Sequence, residues 1–124
     1  MKRILAISLA LAVTSVSAAE WVLVARFDDA QHHVDVTNIQ KSGPIRRFWE
    51  MVDYRSPDKG ALSLVNQIEV NCDMLETRLL YVVTYSGHKA SGQALSSTDF
   101  RPGTWLPNPP DTVGRTRASF VCSK

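Results

Sequence analysis

A single stretch, residues 71–85 (NCDMLETRLLYVVTY), sets the architecture expected of this chain. From residue 75 onward, every second position shares one face of a β-strand that packs against a core: Leu75, Thr77, Leu79, Tyr81, Val83 and Tyr85. The other face begins polar and ends apolar, which indicates a strand inside a sheet rather than at its edge. Cys72 lies just before this strand, and the sequence contains one other cysteine, Cys122.

Residues 1–19 have the composition of an export signal. Two basic residues precede an apolar run at residues 4–13, and residues 16–18 then provide the small side chains of a cleavage site. The run is too short to cross a bilayer of about 30 Å as a helix. No cysteine follows it as an acceptor for a lipid anchor. We therefore expect cleavage after Ala18 or Ala19, and a periplasmic or secreted protein with no transmembrane segment or lipid anchor in the mature chain.

Removal of the signal leaves residues 20–124 as one small domain of balanced charge. The full chain has 14 Lys and Arg against 12 Asp and Glu, and two of the basic residues lie in the signal, so the domain carries 12 of each. This balance gives no reason to expect nucleic-acid binding. In an oxidising compartment, two cysteines predict a structural disulfide between Cys72 and Cys122. A redox pair would have the cysteines closer together in the sequence.

The rest of the domain has the pattern of short strands joined by turns. We expect strands at residues 21–26, 32–36, 45–54, 62–70, 75–85 and, more weakly, 91–97. Turn chemistry separates several of them, at residues 28–31, 42–44 and 56–60. Proline between residues 101 and 110 excludes regular strand pairing there. Asp111 or Thr112 then caps a helix that runs to about Val121. The fold class expected is α+β, mainly β: a single antiparallel meander sheet of about six strands with a C-terminal helix tethered by a disulfide.

Several short motifs occur in the order seen in a known protein family. They are Trp21, Val34-Asp35, Ile39, Ser42-Gly43, Phe48-Trp49-Glu50, Asp53-Tyr54, Asn71-Cys72, Arg78, Trp105 and Phe120-Val121-Cys122. In this order they resemble the surface-adhesin protein E family of bacterial exported proteins, over nearly the whole mature chain. The resemblance implies an antiparallel sheet with the C-terminal helix on its concave face, tied down by a disulfide of this type. It also implies a binding role, since the founding members are surface proteins that bind host matrix proteins.

Three aromatic residues, Trp49, Tyr54 and Trp105, are the candidates for contact with a partner. Large rings that remain exposed anchor protein interfaces, so a binding protein should leave them as a contiguous surface patch. No catalytic residues are expected, because the sequence lacks a Gly-x-Ser-x-Gly elbow and leaves no cysteine free as a nucleophile. No cofactor is expected, since no glycine-rich phosphate loop occurs.

The function expected is that of an exported non-enzymatic binding protein of the bacterial envelope, which is adhesin-like and recognises a protein or envelope component. The alternative is a periplasmic metal or small-ligand carrier that uses His32, His33 and Asp35. His33 and Asp35 would project from one strand face about 7 Å apart. A metal site would need a third ligand, and His88 is the one other histidine. Asp35 can equally cap the turn that follows it.

Overall fold

The computed structural model describes residue 10 and residues 18–124. In chain order these residues form β1 (Trp21–Phe27), β2 (Ala30–Asp35), β3 (Gln40–Ser42), β4 (Ile45–Asp58), β5 (Ala61–Asn71), β6 (Glu76–Tyr85), β7 (Ala94–Asp99), β8 (Leu106–Pro107) and α1 (Val113–Cys122). The expected export signal lies almost wholly outside the described residues, so its cleavage stays a prediction. In the described part of the chain, no helix has the length and apolar character needed to span a membrane.

The strands form one antiparallel sheet in the order β1-β2-β4-β5-β6-β7. Two short strands lie off this path: β3 pairs with β4, and β8 pairs with β6. Apart from the short β3, neighbouring strands in the sheet are also consecutive along the chain. This connectivity is that of a meander. The expected antiparallel sheet of about six strands with one C-terminal helix is confirmed.

Helix α1 covers one face of this sheet, which we call the helix face. The opposite face, on which the described part of the chain places no helix, is the open face. Thr112 caps the helix, because its side-chain oxygen accepts a hydrogen bond from the backbone N–H of Arg115 at 3.2 Å. Ala118 and Val121 of this helix are fully buried against the sheet. They share one core with residues of β2, β4 and β5: Val34, Phe48, Ile68 and Val70. The core therefore lies between α1 and the middle of the sheet.

The expected disulfide between Cys72 and Cys122 is confirmed. It joins the end of α1 to the turn that follows β5, across a sequence separation of 50 and a Cα–Cα distance of 5.7 Å. The backbone N–H of Cys72 donates to the carbonyl of Pro44 at 2.8 Å. The disulfide therefore holds the end of the helix to a turn whose position is fixed by its hydrogen bond to the sheet.

Strand β6 departs from the alternation of its sequence. Leu79 pairs with Ile68 but Tyr81 pairs with Gln67, so Leu80 is an extra residue, a β-bulge. Alternate residues up to Leu79 face the helix, whereas Tyr81 and the alternate residues after it face the other way. The expectation of one continuous face along this strand was wrong, because one inserted residue reverses the facing of all later side chains.

Strand β8 lies in the tail where proline was expected to exclude pairing. Leu106 and Pro107 nevertheless pair with the start of β6. The pairing is possible because it involves two residues only, and because Asn108, beyond the proline, donates its backbone N–H to the carbonyl of Leu75 at 3.1 Å. This short strand brings residues 100–107 back to the sheet.

Strand β4 is longer than expected and runs through most of the predicted turn at residues 56–60. The chain reverses only at Lys59 and Gly60, whose φ angles are +49° and +81°. Gly60 adopts such an angle without steric cost, so the reversal occurs at the glycine end of the turn.

Candidate functional site

A buried carboxylate, Glu50, lies on the helix face between the sheet and α1. Its side chain is 1% exposed. Arg117 of α1 donates from Nη1 to Glu50 Oε2 at 2.9 Å, and Asn66 donates from Nδ2 to Oε1 at 3.1 Å. His32 Nδ1 lies 3.4 Å from Oε2, at ion-pair distance but beyond the usual length of a hydrogen bond. Strand pairing brings His32, Glu50 and Asn66 to the same face of three neighbouring strands.

The charges of this cluster compensate each other. Burial of the Glu50 carboxylate raises its pKa, but the neighbouring His32 and Arg117 outweigh that effect and lower the pKa to about 2. Glu50 is therefore ionised at neutral pH, although it is buried. Because Arg117 belongs to α1 and Glu50 to β4, the ion pair holds the helix to the sheet at a second place besides the disulfide.

A cavity of about 550 Å³ opens beside this cluster on the helix face. Its lining includes Phe27, Tyr54 and Asp58 together with Glu50 and Arg117. Burial raises the pKa of Tyr54, and the negative charges of Asp58 and Glu50 raise it further. The electrostatic potential at Tyr54 is therefore negative, which favours a ligand that carries positive charge.

The histidine and aspartate residues considered as metal ligands do not converge. Alternation places His32 on the helix face beside Glu50 and His33 on the open face, where it pairs with Met51. The sulfur, imidazole and carboxylate side chains of the described residues include no group of three or more that could hold a metal ion. Consecutive residues of a strand point to opposite faces of the sheet, so His32 and His33 cannot bind the same metal ion.

Asp35 is buried and serves the turn after β2. Its Oδ1 accepts hydrogen bonds from the backbone N–H groups of Glu20 and Thr37 and from the Thr37 hydroxyl, and Oδ2 accepts from the Asn38 amide at 2.6 Å. Burial raises the pKa of Asp35, but these hydrogen bonds outweigh it and lower the pKa below its usual value. The carboxylate is thus a cap that closes the turn and anchors the start of β1.

The open face carries a line of side chains that crosses six strands, one residue from each, which we call the aromatic row. Its members, from β1 to β7, are Trp21, Asp35, Trp49, Gln67, Tyr81 and Asp99. The rings of Trp49 and Tyr81 meet edge to face above Gln67, with centroids 6.5 Å apart and an interplanar angle of 85°. A cavity of about 530 Å³ lies beside this contact and is lined by Trp21, Trp49 and Gln67, among others.

Next to the aromatic row lies a row of charged groups, in which two guanidiniums share one carboxylate and leave a single net positive charge. Glu69, which is almost buried, accepts two hydrogen bonds at Oε1 from Arg78, at 2.7 and 2.9 Å. Arg47 Nη2 lies 3.4 Å from the other carboxylate oxygen. Trp105 covers Arg78, whose Cζ lies 4.4 Å from the ring centroid. Trp105 therefore holds residues 100–107 against the end of the open face.

The three aromatic residues predicted for partner contact do not form one patch. Trp49 and Trp105 lie on the open face in neighbouring rows, but Tyr54 shares the facing of Glu50 and lines the helix-face cavity. All three are half-buried. The large apolar side chains with the greatest exposure lie elsewhere: Leu23, Phe27, Met74, Leu95, Phe100 and Leu106.

Sequence reasoning missed the Glu50 cluster and most of the aromatic row. Glu50 did give a signal, because it occupies the apolar parity of its strand between Phe48 and Val52. Arg117 lies on α1, 67 residues along the chain from Glu50, and it reaches the buried carboxylate. Tyr81 was assigned to the wrong face because the bulge at Leu80 left no mark in the pattern of apolar residues.

Comparisons with known proteins agree on a single family. The family model described as surface-adhesin protein E matches residues 21–123. Two crystal structures of Haemophilus influenzae protein E superimpose with a TM-score of 0.62 each. One shares 16% sequence identity and covers 94% of this chain and 97% of its own. The other shares 17% identity and covers 91% and 82%. No curated protein sequence matches this chain.

Proposed function

The chain belongs to the surface-adhesin protein E family, and we propose that it is an exported, non-enzymatic binding protein that recognises a protein or envelope component through the open face of its sheet. The observation that carries this proposal is the aromatic row. Helix α1 packs on the opposite face, so no helix within residues 18–124 covers Trp21, Trp49 and Tyr81. An uncovered sheet face with half-buried rings is the kind of surface on which protein partners dock.

The borders of the open face also support a binding role. At one end Ser63 accepts a hydrogen bond from the backbone N–H of Ala90 at 2.9 Å, which fixes the loop at residues 86–92. At the other end Trp105 rests on Arg78. A rigid floor with fixed borders binds a partner without the entropic cost of ordering loops.

The test is a crosslinking capture from native cell envelopes and from extracellular-matrix preparations, with the purified domain as bait. We expect specific capture that is strongly reduced by Trp49→Ala and Trp105→Ala. Phe27→Ala is the matched control, because it removes an aromatic ring that is 57% exposed on the helix face. Each variant should first show an unchanged circular dichroism spectrum. Capture that is insensitive to both tryptophan variants, or lost equally with Phe27→Ala, would contradict binding through the open face.

Export is tested by the mass of the intact protein recovered from the periplasm or the medium. We expect a mature N-terminus at Ala19 or Glu20, because residues 1–18 have the charged, apolar and small-residue order of a signal peptide. A retained Met1, or recovery from the cytoplasm alone, would exclude the exported role.

A second candidate function, a carrier of small ligands, is favoured by the helix-face cavity. The negative potential at Tyr54 and the apolar wall of Phe27 suit an organic amine. A thermal-shift screen of small amines would test it, with Asp58→Asn expected to weaken the shift and the exposed Asp99→Asn expected to leave it unchanged. An absence of any shift, or equal effects of both substitutions, would remove this candidate.

A further inference from the structure

The aromatic row alternates rings with hydrogen-bonding side chains across the width of the sheet. Trp49 and Tyr81 flank Gln67 on the two neighbouring strands. Trp21 lies two strands from Trp49 on the other side, and both tryptophans line the same cavity of about 530 Å³. Neighbouring strands are about 4.8 Å apart, so the distance from Trp21 to Tyr81 along the row is roughly 19 Å. This is the length of a short oligosaccharide laid across the strands.

The chemistry of the row matches a saccharide. The C–H groups of a sugar ring carry partial positive charge and pack on the negative faces of aromatic rings. Its hydroxyl groups need partners that both donate and accept, and a primary amide does both. Gln67 lies half-buried within the row, and the exposed Gln40 lines the same cavity. On one side of the row lie the apolar and half-buried Val65 and Val83, which can take the methyl group of an N-acetyl substituent.

The charges along the row indicate a neutral ligand. The carboxylate of Asp35 is occupied by its own turn. Asp99 forms a bidentate ion pair with Arg101, at 2.6 and 3.0 Å. Arg47 and Arg78 both pair with Glu69. Because Arg47 and Arg78 share the Glu69 carboxylate, these groups keep one net positive charge, whereas a polyanion is held by several cationic side chains together.

We propose that the aromatic row binds a neutral saccharide chain of hexose or N-acetylhexosamine units. This proposal rests on the proposed open-face function and specifies its ligand class. Trp21 and Trp49 supply the stacking surfaces, and Gln67, which lies between Trp49 and Tyr81, supplies hydrogen bonds to hydroxyl groups. Trp105 lies outside the row and fixes its border.

The experiment is titration of the purified mature domain with defined oligosaccharides, followed by tryptophan fluorescence and by the indole N–H signals in NMR spectra. The probes are tetramers of N-acetylglucosamine and of glucose, peptide-free glycan strands from bacterial cell walls with their lactyl carboxylates converted to amides, neutral host-type N-glycans, and heparin as a polyanion. The cell-wall and host-type arms distinguish the source of the saccharide. We expect a saturable response to at least one neutral chain, with shifts at the indole signals of Trp21 and Trp49.

Variants then assign the response to the row. We expect Trp21→Ala and Trp49→Ala each to weaken binding roughly tenfold, the value of one stacked ring. Gln67→Leu keeps the volume but removes the amide, and should also weaken binding. Phe27→Ala should bind as the unaltered protein does. If a tryptophan variant does not fold, the indole shifts of the unaltered protein decide the question.

Three outcomes would overturn the proposal: no response to any neutral saccharide, a response that leaves the indole signals of Trp21 and Trp49 unchanged, or binding of heparin alone with strong salt dependence. If no saccharide binds while a protein partner is still captured through Trp49, the ligand class is wrong and the open-face function stands. If capture is also insensitive to Trp49, both fail.

Discussion

Replacement of the buried carboxylate, Glu50→Gln, tests how the helix is held to the sheet. Glutamine keeps the size and the hydrogen-bonding shape of the side chain but removes its charge. It therefore resembles the protonated form of Glu50, and comparison of the two proteins isolates the energetic effect of ionisation. Arg117 remains in place but loses its counter-charge.

The expected magnitude follows from the pKa of Glu50, which is about 2 in the folded protein against 4.5 for an unperturbed glutamate. At about 1.4 kcal/mol per pH unit, ionised Glu50 contributes about 3 kcal/mol to the free energy of unfolding at neutral pH. Because the folded-state pKa is the lower one, this contribution is complete above about pH 5 and is lost as the pH falls toward 2. Glu50→Gln should therefore be about 3 kcal/mol less stable at pH 7 and equally stable near pH 2.

The assay is urea unfolding of both proteins at pH 7, 5 and 3 with the disulfide intact, followed by tryptophan fluorescence. Acid effects from other groups, such as Asp35, are common to both proteins and cancel in the difference. A difference that is the same at every pH, or that is absent at pH 7, would refute the reasoning, because the carboxylate would then not be stabilised in its ionised form.

Asp99→Asn is the matched control. The pKa of Asp99 is also lowered to about 2, chiefly by its hydrogen bonds with Arg101, but the carboxylate is exposed. Solvent screens such a pair, so its loss should change the free energy of unfolding little at any pH. If Asp99→Asn altered stability as much as Glu50→Gln, burial would not be the reason for the effect.

Three further predictions concern the attachments of the sheet. Replacing Cys72 and Cys122 by serine should lower the free energy of unfolding by about 4 kcal/mol for a loop of this length. Amide exchange should then speed up in α1 before it does in β6. An unchanged free energy of unfolding would contradict the role of the disulfide as a tether. Gly103→Ala should destabilise the protein by about 1–3 kcal/mol, because the φ of Gly103 is +77° and a Cβ there would lie 2.6 Å from the Leu79 carbonyl oxygen. An unchanged melting temperature would contradict this prediction. Trp105→Ala should expose residues 100–107 to proteolysis through loss of its cation–π contact, and resistance equal to that of the unaltered protein would show that other contacts hold the segment.

The elements that could be predicted from sequence are those whose signals are local. Two-residue alternation located most strands, and Thr112 marked the start of the helix by its capping side chain. The pairing of Cys72 with Cys122 needed no geometry, since the chain offers no other cysteine. In each case the prediction depended on a few neighbouring residues, or on the fact that the chain has only two cysteines.

The features that could not be predicted depend on register and on distant pairing. Leu80 is apolar like its neighbours, so its insertion as a bulge leaves the pattern of apolar residues unchanged while reversing the strand. The partner of Glu50 is 67 residues away, on an element whose position the sequence does not fix. The aromatic row likewise requires knowing which residues of six strands stand level with each other.

If the open face binds the partner as proposed, the two faces of the sheet separate stability from binding. On the helix face, the disulfide and the Glu50–Arg117 pair hold α1 over the core, so substitutions there should change unfolding before they change any ligand affinity. On the open face, Gln67 can lose its amide without exposing the core, so its substitution should change affinity first. Trp49 belongs to both sets, because its edge contact with Tyr81 orders the row while its ring is part of the proposed binding surface. Trp49→Phe should therefore retain more stability than Trp49→Ala, and the two variants together distinguish loss of the stacking surface from loss of order in the row.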